Sequence, residues 1–179
     1  MRFPAMRGFT LIELMISVTV LGVLLAIAAP SFNNFFDRYR VKRAADTFSS
    51  FLINTKSEAI KRNATVRVVF QTPDSGVTWC AGMTMATTCD CTVGSASPCQ
   101  IDAVDRLVRG TDFRGILLNN PADNAMFSFT PLRGAVTSGN VQVQSAGGLQ
   151  IRVTVAGTGR IRLCSPSGSG NIGGYPVCP

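Results

Sequence analysis

From Phe9 to Ala29 the chain reads FTLIELMISVTVLGVLLAIAA, an apolar run of 21 residues that carries one charge, Glu13, and stops at Pro30. As a helix this run is about 31 Å long, matching the hydrocarbon core of a bilayer. Such a segment reads as a membrane anchor or a signal peptide, and the small residues from Ala26 to Ala29 loosely supply a signal-peptidase site. The acid argues against simple removal. A carboxylate near hydrocarbon costs about 2.5 to 3.5 kcal/mol on insertion scales and takes a cationic partner. No Lys or Arg lies in the run. A newly exposed α-amino group at the start of the same helix in a neighbouring copy would serve.

Arg7-Gly8-Phe9-Thr10-Leu11-Ile12-Glu13 resembles the processing site of type IV pilins and type II secretion pseudopilins. The resemblance implies that a basic leader, residues 1–8, is cut after Gly8 by a leader peptidase that also N-methylates Phe9. It also implies that Glu13 pairs with a neighbouring terminus during assembly, and that residues 9–30 sit in the inner membrane before assembly. Pro30 falls where pilin helices often carry a proline, which removes an N–H and crowds the preceding turn. Counting Arg2 and Arg7 against Arg38, Arg40, Lys42 and Arg43 would favour the opposite orientation. The processing motif sets the orientation instead, with the body periplasmic.

Past Pro30, apolar residues at Phe32, Phe35, Phe36, Tyr39, Val41, Ala44, Ala45, Phe48, Phe51, Leu52, Ala59 and Ile60 recur at three and four spacing. That predicts an amphipathic helix over 31–63 that continues the anchor and ends near Asn63. Arg38, Lys42, Arg43, Lys56, Lys61 and Arg62 are expected on its solvated face. From Thr65 the period becomes two. Thr65–Phe70, Leu107–Arg109, Ala125–Phe129, Val141–Gln144 and Leu149–Val155 read as strands between Gly, Pro, Asn and Ser clusters. The fold class is α+β: one long N-terminal helix on an antiparallel β domain over 64–179, the type IV pilin-like plan that the resemblance implies. Residues 71–103, with weak periodicity, are expected to form a long excursion.

The 179 residues include no histidine, which removes Ser-His-Asp and Cys-His nucleophiles and His-based zinc sites. The six cysteines, Cys80, Cys89, Cys91, Cys99, Cys164 and Cys178, all follow the anchor and lack paired C-x-x-C spacing. In an oxidising compartment they read as disulfides rather than metal ligands. Cys164 and Cys178 are expected to pair, because the stretch between them has no periodic apolar signal. The other four leave three connectivities open. Asp102, Asp105, Asp112 and Asp123 are spaced acids in a loop-rich stretch and read as solvated. With no P-loop or dinucleotide fingerprint either, the chain is not expected to be an enzyme, and no cofactor is implied.

No Asp or Glu follows Asp123, whereas Arg133, Arg152, Arg160 and Arg162 do. Leu149–Val155 alternates, and Ala156-Gly157-Thr158-Gly159 reads as a hairpin turn leading to a strand with Ile161 and Leu163 on one face. Keeping apolar opposite apolar predicts Val155 facing Gly159, Val153 facing Ile161, Ile151 facing Leu163, Arg152 facing Arg162, and Arg160 facing Thr154. Like charges across a ladder repel, so this register would call for an anion that accepts from both guanidiniums. Solvated arginines on an exposed strand are the alternative. Gly159-Arg160-Ile161-Arg162 resembles the G-R-x-R motif of the FimT branch of the GspH/FimT minor pilin family. That resemblance implies non-specific binding of DNA phosphates by Arg160 and Arg162, supported by Arg152 and Arg133, in natural transformation. It implies major and minor pilins as further partners and a pilus or pseudopilus as the final location. A second reading from the same family is a structural minor pilin or GspH-like type II secretion pseudopilin that primes or caps a filament without binding DNA.

Overall fold

The computed structural model describes residues 8–72, 78–92, 98–119, 126–132 and 137–179, the side chains of 28–33 and 126 excepted. One helix, α1 (Leu11–Arg62), is followed by strands β1 (Val66–Gln71), β2 (Cys80–Thr84), β3 (Gln100–Ile101), β4 (Val104–Asp105), β5 (Leu107–Arg109), β6 (Ile116–Asn119), β7 (Met126–Phe129), β8 (Gly139–Ser145), β9 (Gln150–Val155) and β10 (Ile161–Cys164). The chain divides into two compact units, Met1–Phe36 and Asp37–Pro179.

In the first unit, Thr10 caps α1: its Oγ1 accepts from the Glu13 N–H at 3.3 Å, and its carbonyl accepts from Leu14 N–H at 3.2 Å. Glu13 lies in the first turn, where the helix dipole favours a carboxylate. The described apolar side chains are exposed all round, from Leu11 through Leu14 and Val20 to Ile27. A helix apolar on every side requires an apolar environment. Among the described residues no helix is long and apolar enough to cross a membrane. The described side chains of the run stop at Ile27, giving about 25 Å.

In the second unit, Val41, Ala44, Ala45, Phe48, Leu52, Thr55 and Ala59 are buried, a stripe at helical spacing. The stripe is narrower than the apolar pattern suggests. Phe35, Phe36, Tyr39 and Ile60 are exposed, and Phe32 lies outside the described side chains. Nor is the basic face simply solvated. Lys42 sits over the Tyr175 ring at 5.7 Å and Arg43 over Phe113 at 5.6 Å, while Lys56 Nζ donates to the Gly159 carbonyl at 3.1 Å. Asn63 ends the helix in the left-handed region at φ 50. Its N–H reaches Ile60 O and that of Ala64 reaches Ala59 O, both at 3.2 Å, a Schellman closure.

Two four-stranded antiparallel sheets, ordered β5-β2-β1-β7 and β10-β9-β8-β6, accompany the β3-β4 hairpin. The inward residues of β1, β8 and β9 alternate with half-buried ones, and Phe48, Leu52, Leu118, Phe129 and Ile151 are fully buried among them. β2 and β3 fall in the expected excursion over 71–103, and β4 and β6 lie outside both it and the expected strands. All five residues of β2 are buried, and a strand covered on both faces shows no alternation. Disulfides join Cys80 to Cys91, Cys89 to Cys99 and Cys164 to Cys178. The first two form a buried cluster with Val69 and Leu107 beside them.

Arg62 at the end of α1 grips the β3-β4 hairpin. Its Nε donates to Glu58 at 2.8 Å and its two terminal nitrogens donate to both Asp102 oxygens, one at 2.9 Å. The guanidinium holds the Asp102 and Glu58 carboxyls below the usual carboxylate range, and the two acids raise Arg62. Asp102 is therefore an ion-pair partner, and Asp105 accepts from Gln100 at 2.7 Å. Asp112 ends a 3-10 turn, and Asp123 lies outside the described residues. Among the described residues no group of acids and cysteines could hold a metal ion.

Candidate functional site

The arginine-bearing hairpin has a different register from the one apolar matching predicts. Ile161 pairs with Val155, Arg162 with Thr154, Leu163 with Val153 and Cys164 with Arg152. The parity is the expected one and the register is shifted by two residues, which leaves every side chain on its face. Turn geometry makes the choice. Gly159 N–H donates to Ala156 O at 2.8 Å and Ala156 N–H to Arg160 O at 2.9 Å, and Gly159 has φ 73. A four-residue turn, 156–159, that ends on a left-handed glycine makes a G1 bulge, which draws Arg160 into the loop.

Arg152 and Arg162 are consequently not opposite each other, and the like-charge case for a bridging anion does not hold in the form predicted. Arg162 faces Thr154 and is exposed; Arg160, closing the turn, is also exposed. Arg152 lies between Cys164 on β10 and Gln142 on β8. It is half-buried, and its Nε is buried with no hydrogen-bond partner. Arg133 lies outside the described residues.

Sequence reading missed Lys56. Placed among solvated charges, it instead reaches 103 residues along the chain to the Gly159 carbonyl, adding a cation behind the turn. Local sequence holds no signal for that contact. Below the turn, Ser165 Oγ donates to Gln150 O at 2.9 Å and accepts from Ile172 N–H at 2.8 Å, which with the Cys164–Cys178 disulfide pins the terminal segment beside β9.

At the other end of the chain, Gly8 and Phe9 are exposed, ahead of the Thr10 cap. A Cβ at Gly8 would meet nothing within 4 Å. Glu13 is exposed on the first turn.

An N-terminal apolar helix that runs on into a segment packed against antiparallel sheets, led by R-G-F-T-x-x-E, defines the type IV pilin-like class. The chain belongs to the GspH family, whose model, described as Type II transport protein GspH, matches residues 44–159. The prokaryotic N-terminal methylation motif matches residues 4–29. Among solved structures, the fold is similar to the type IV minor pilin FimU of Pseudomonas aeruginosa, with TM-score 0.53 and 18% identity over 74% of this chain and 97% of that one. It is similar also to the minor pseudopilin EpsH of the Vibrio cholerae type 2 secretion system, with TM-score 0.50 and 20% identity over 72% and 99%. Two curated relatives are a fimbrial protein of Pseudomonas aeruginosa, 40% identical over 57 residues, and the type IV major fimbrial protein FimA of Dichelobacter nodosus, 54% identical over 37 residues. These matches cover 32% and 21% of this chain, and 37% and 24% of the relatives' own lengths.

Proposed function

We propose that this minor pilin or pseudopilin belongs to the FimT branch and binds extracellular DNA without sequence preference during natural transformation. The observation that carries the reading is the pair Arg160 and Arg162, both exposed, at a glycine-built turn in a stretch of chain with no acid after Asp123. Exposed guanidiniums contact phosphates, which fix position and carry no base information. Arg152 and Arg133 support them. The same reading has residues 1–8 removed after Gly8, Phe9 N-methylated, and Glu13 paired with a neighbouring terminus. The anchor spans the inner membrane once with the body periplasmic, until assembly with other pilins carries the subunit to the cell surface. Gly8 and Phe9 are exposed, which supports this: a peptidase can reach the bond between them.

The second reading, a filament-priming or capping subunit that binds no DNA, shares the assembly step with the first. Phe35, Phe36, Tyr39, Ile53 and Ile60 leave apolar surface on α1 exposed, as a subunit packed among others would.

The test is a gel-shift titration of the full-length, detergent-solubilised, oxidised protein against short duplex DNA at several salt concentrations, beside the double variant Arg160→Gln, Arg162→Gln. Each neutralised phosphate contributes about 0.9 to the log–log salt slope, so three contacts give a slope near 3 in magnitude with micromolar or weaker affinity. The double variant is expected to lose binding. Absence of binding at low salt, even when the protein is displayed multivalently, would leave the structural reading.

A further inference from the structure

The face of the β10-β9-β8-β6 sheet that points away from the core carries a polar row across β9, β8 and β6, which ends on β10 at the buried Cys164 of the Cys164–Cys178 disulfide. The ladder places Cys164 opposite Arg152, Arg152 opposite Gln142, and Gln142 opposite Asn119, one residue from each strand. In the next row Arg162 stands opposite Thr154. Neighbouring strands are about 4.8 Å apart, so Arg152, Gln142 and Asn119 span about 10 Å. All three are half-buried, their backbone carried by a ladder whose other face is core. Their donors thus sit on a rigid surface and lose little freedom on binding.

Two further observations set the chemistry. The Arg152 Nε is buried without a hydrogen-bond partner, and Arg152 is in none of the ion pairs of the described residues. A nitrogen with no accessible surface is not itself the ligand contact, so it is the terminal nitrogens of this half-buried side chain that meet an anion. Around it the strands β8, β9 and β10 contain no acid; Asp37 lies by the β8–β9 turn, beside Gly147, and pairs with Arg40 at 3.4 Å. The rows also contain no Phe, Tyr or Trp, so they lack the stacking platforms on which single-strand binders rely.

From this we infer that the outer face of the sheet, centred on Arg152, Gln142 and Asn119, is the seat of a DNA duplex whose backbone continues from the Arg160–Arg162 edge across the strands. The inference rests on the DNA-binding reading and extends it. It commits the ligand to double-stranded form and assigns three contacts on β9, β8 and β6: Arg152 donates to phosphate, the Gln142 amide donates to phosphate or sugar oxygens, and Asn119, whose Nδ2 already donates to Gln144 Oε1, adds its second N–H.

Charged and neutral contacts leave different signatures. Replacing a cation removes counterion release and flattens the salt slope, whereas replacing an amide weakens binding at every salt concentration and leaves the slope unchanged. The full-length oxidised protein is titrated against one sequence as a fluorescent duplex and as a single strand. The variants are Arg152→Gln, Arg152→Lys and the pair Gln142→Ala, Asn119→Ala, each first checked for a native melting transition and absence of free thiols. Expected are tighter binding of duplex than single strand, a slope lower by about 0.9 for Arg152→Gln but not for Arg152→Lys, and about ten-fold weaker binding with parental slope for the amide pair. If the parent binds and Arg160→Gln, Arg162→Gln abolishes binding while the sheet-face variants match the parent, this inference fails and the DNA reading survives. Equal or tighter binding of the single strand overturns the choice of duplex. If the parent binds neither form, the DNA reading itself fails.

Discussion

Gly82 sits in the middle of β2 with the Cys89–Cys99 disulfide against it. A Cβ built there would overlap Cys99 Sγ and Cβ, far inside van der Waals contact, so the strand or the crosslink must shift. Overpacking of this kind costs about 1–3 kcal/mol. Gly82→Ala is expected to lower the thermal midpoint by several degrees, whereas Gly173→Ala, with nothing within 4 Å, should leave it within a degree or two of the parent. Calorimetric melts of the two variants check this, and equal midpoints would show that the cluster around Cys99 is looser than its distances imply. Glycine at 82 serves close approach; at 159 it serves the φ of 73 that turns Arg160 toward Arg162's strand. Neither role could be assigned from composition, because one depends on a cysteine 17 positions away and the other on which residues the turn absorbs.

At the scale of elements, the end of α1 is tied to the β3-β4 hairpin by Arg62, which bridges Glu58 and Asp102. Both carboxyls are held below their ordinary values, first by hydrogen bonds from Arg62. A folded value below the unfolded one means that the linkage stabilises the fold above the unfolded carboxylate range, near pH 4, and is lost as pH falls through the folded values. The midpoint difference between parent and Arg62→Gln is thus expected to be constant from pH 8 to about 5 and to shrink below about pH 4. Thermal melts across that range by circular dichroism read it directly. A difference that stayed constant to pH 2.5 would show that Arg62 acts through packing alone. Elements differ in how much of this could be read beforehand. β1, β5, β7, β8 and β9 announce themselves by alternation, because one face is core and the other is not. β2 does not, because its second face is covered by the disulfide cluster.

For the molecule as a whole, the terminal segment 165–179 contributes Ile172 to the core and Tyr175 beside it, with burial and then Asp46 raising the tyrosine's pKa. The Cys164–Cys178 crosslink spans 14 residues, worth about 3 kcal/mol in the chain-entropy model. Replacing both cysteines with serine is expected to lower stability by about that amount without unfolding the segment, since the Ser165 hydroxyl still bonds to Gln150 and Ile172. Urea titration of the oxidised double variant measures the loss. A change under about 0.5 kcal/mol would mean that the hydrogen bonds alone order the tail.

Local covalent sequence by itself determined the apolar N-terminal run with its lone acid, the helix stop at Asn63, most of the alternating strands and the face of the hairpin on which Arg152 and Arg162 fall. Each follows from side-chain periodicity or a single residue's backbone preference, which neighbours in sequence suffice to express. Only the tertiary structure decided the hairpin register, the pairing of Cys80 with Cys91 and Cys89 with Cys99, the reach of Lys56 to Gly159, and the row that joins Arg152 to Gln142 and Asn119. A shift of two residues preserves every face, and three cysteine connectivities share one spacing. Local pattern is therefore degenerate among these arrangements, and turn geometry and long-range packing remove the degeneracy.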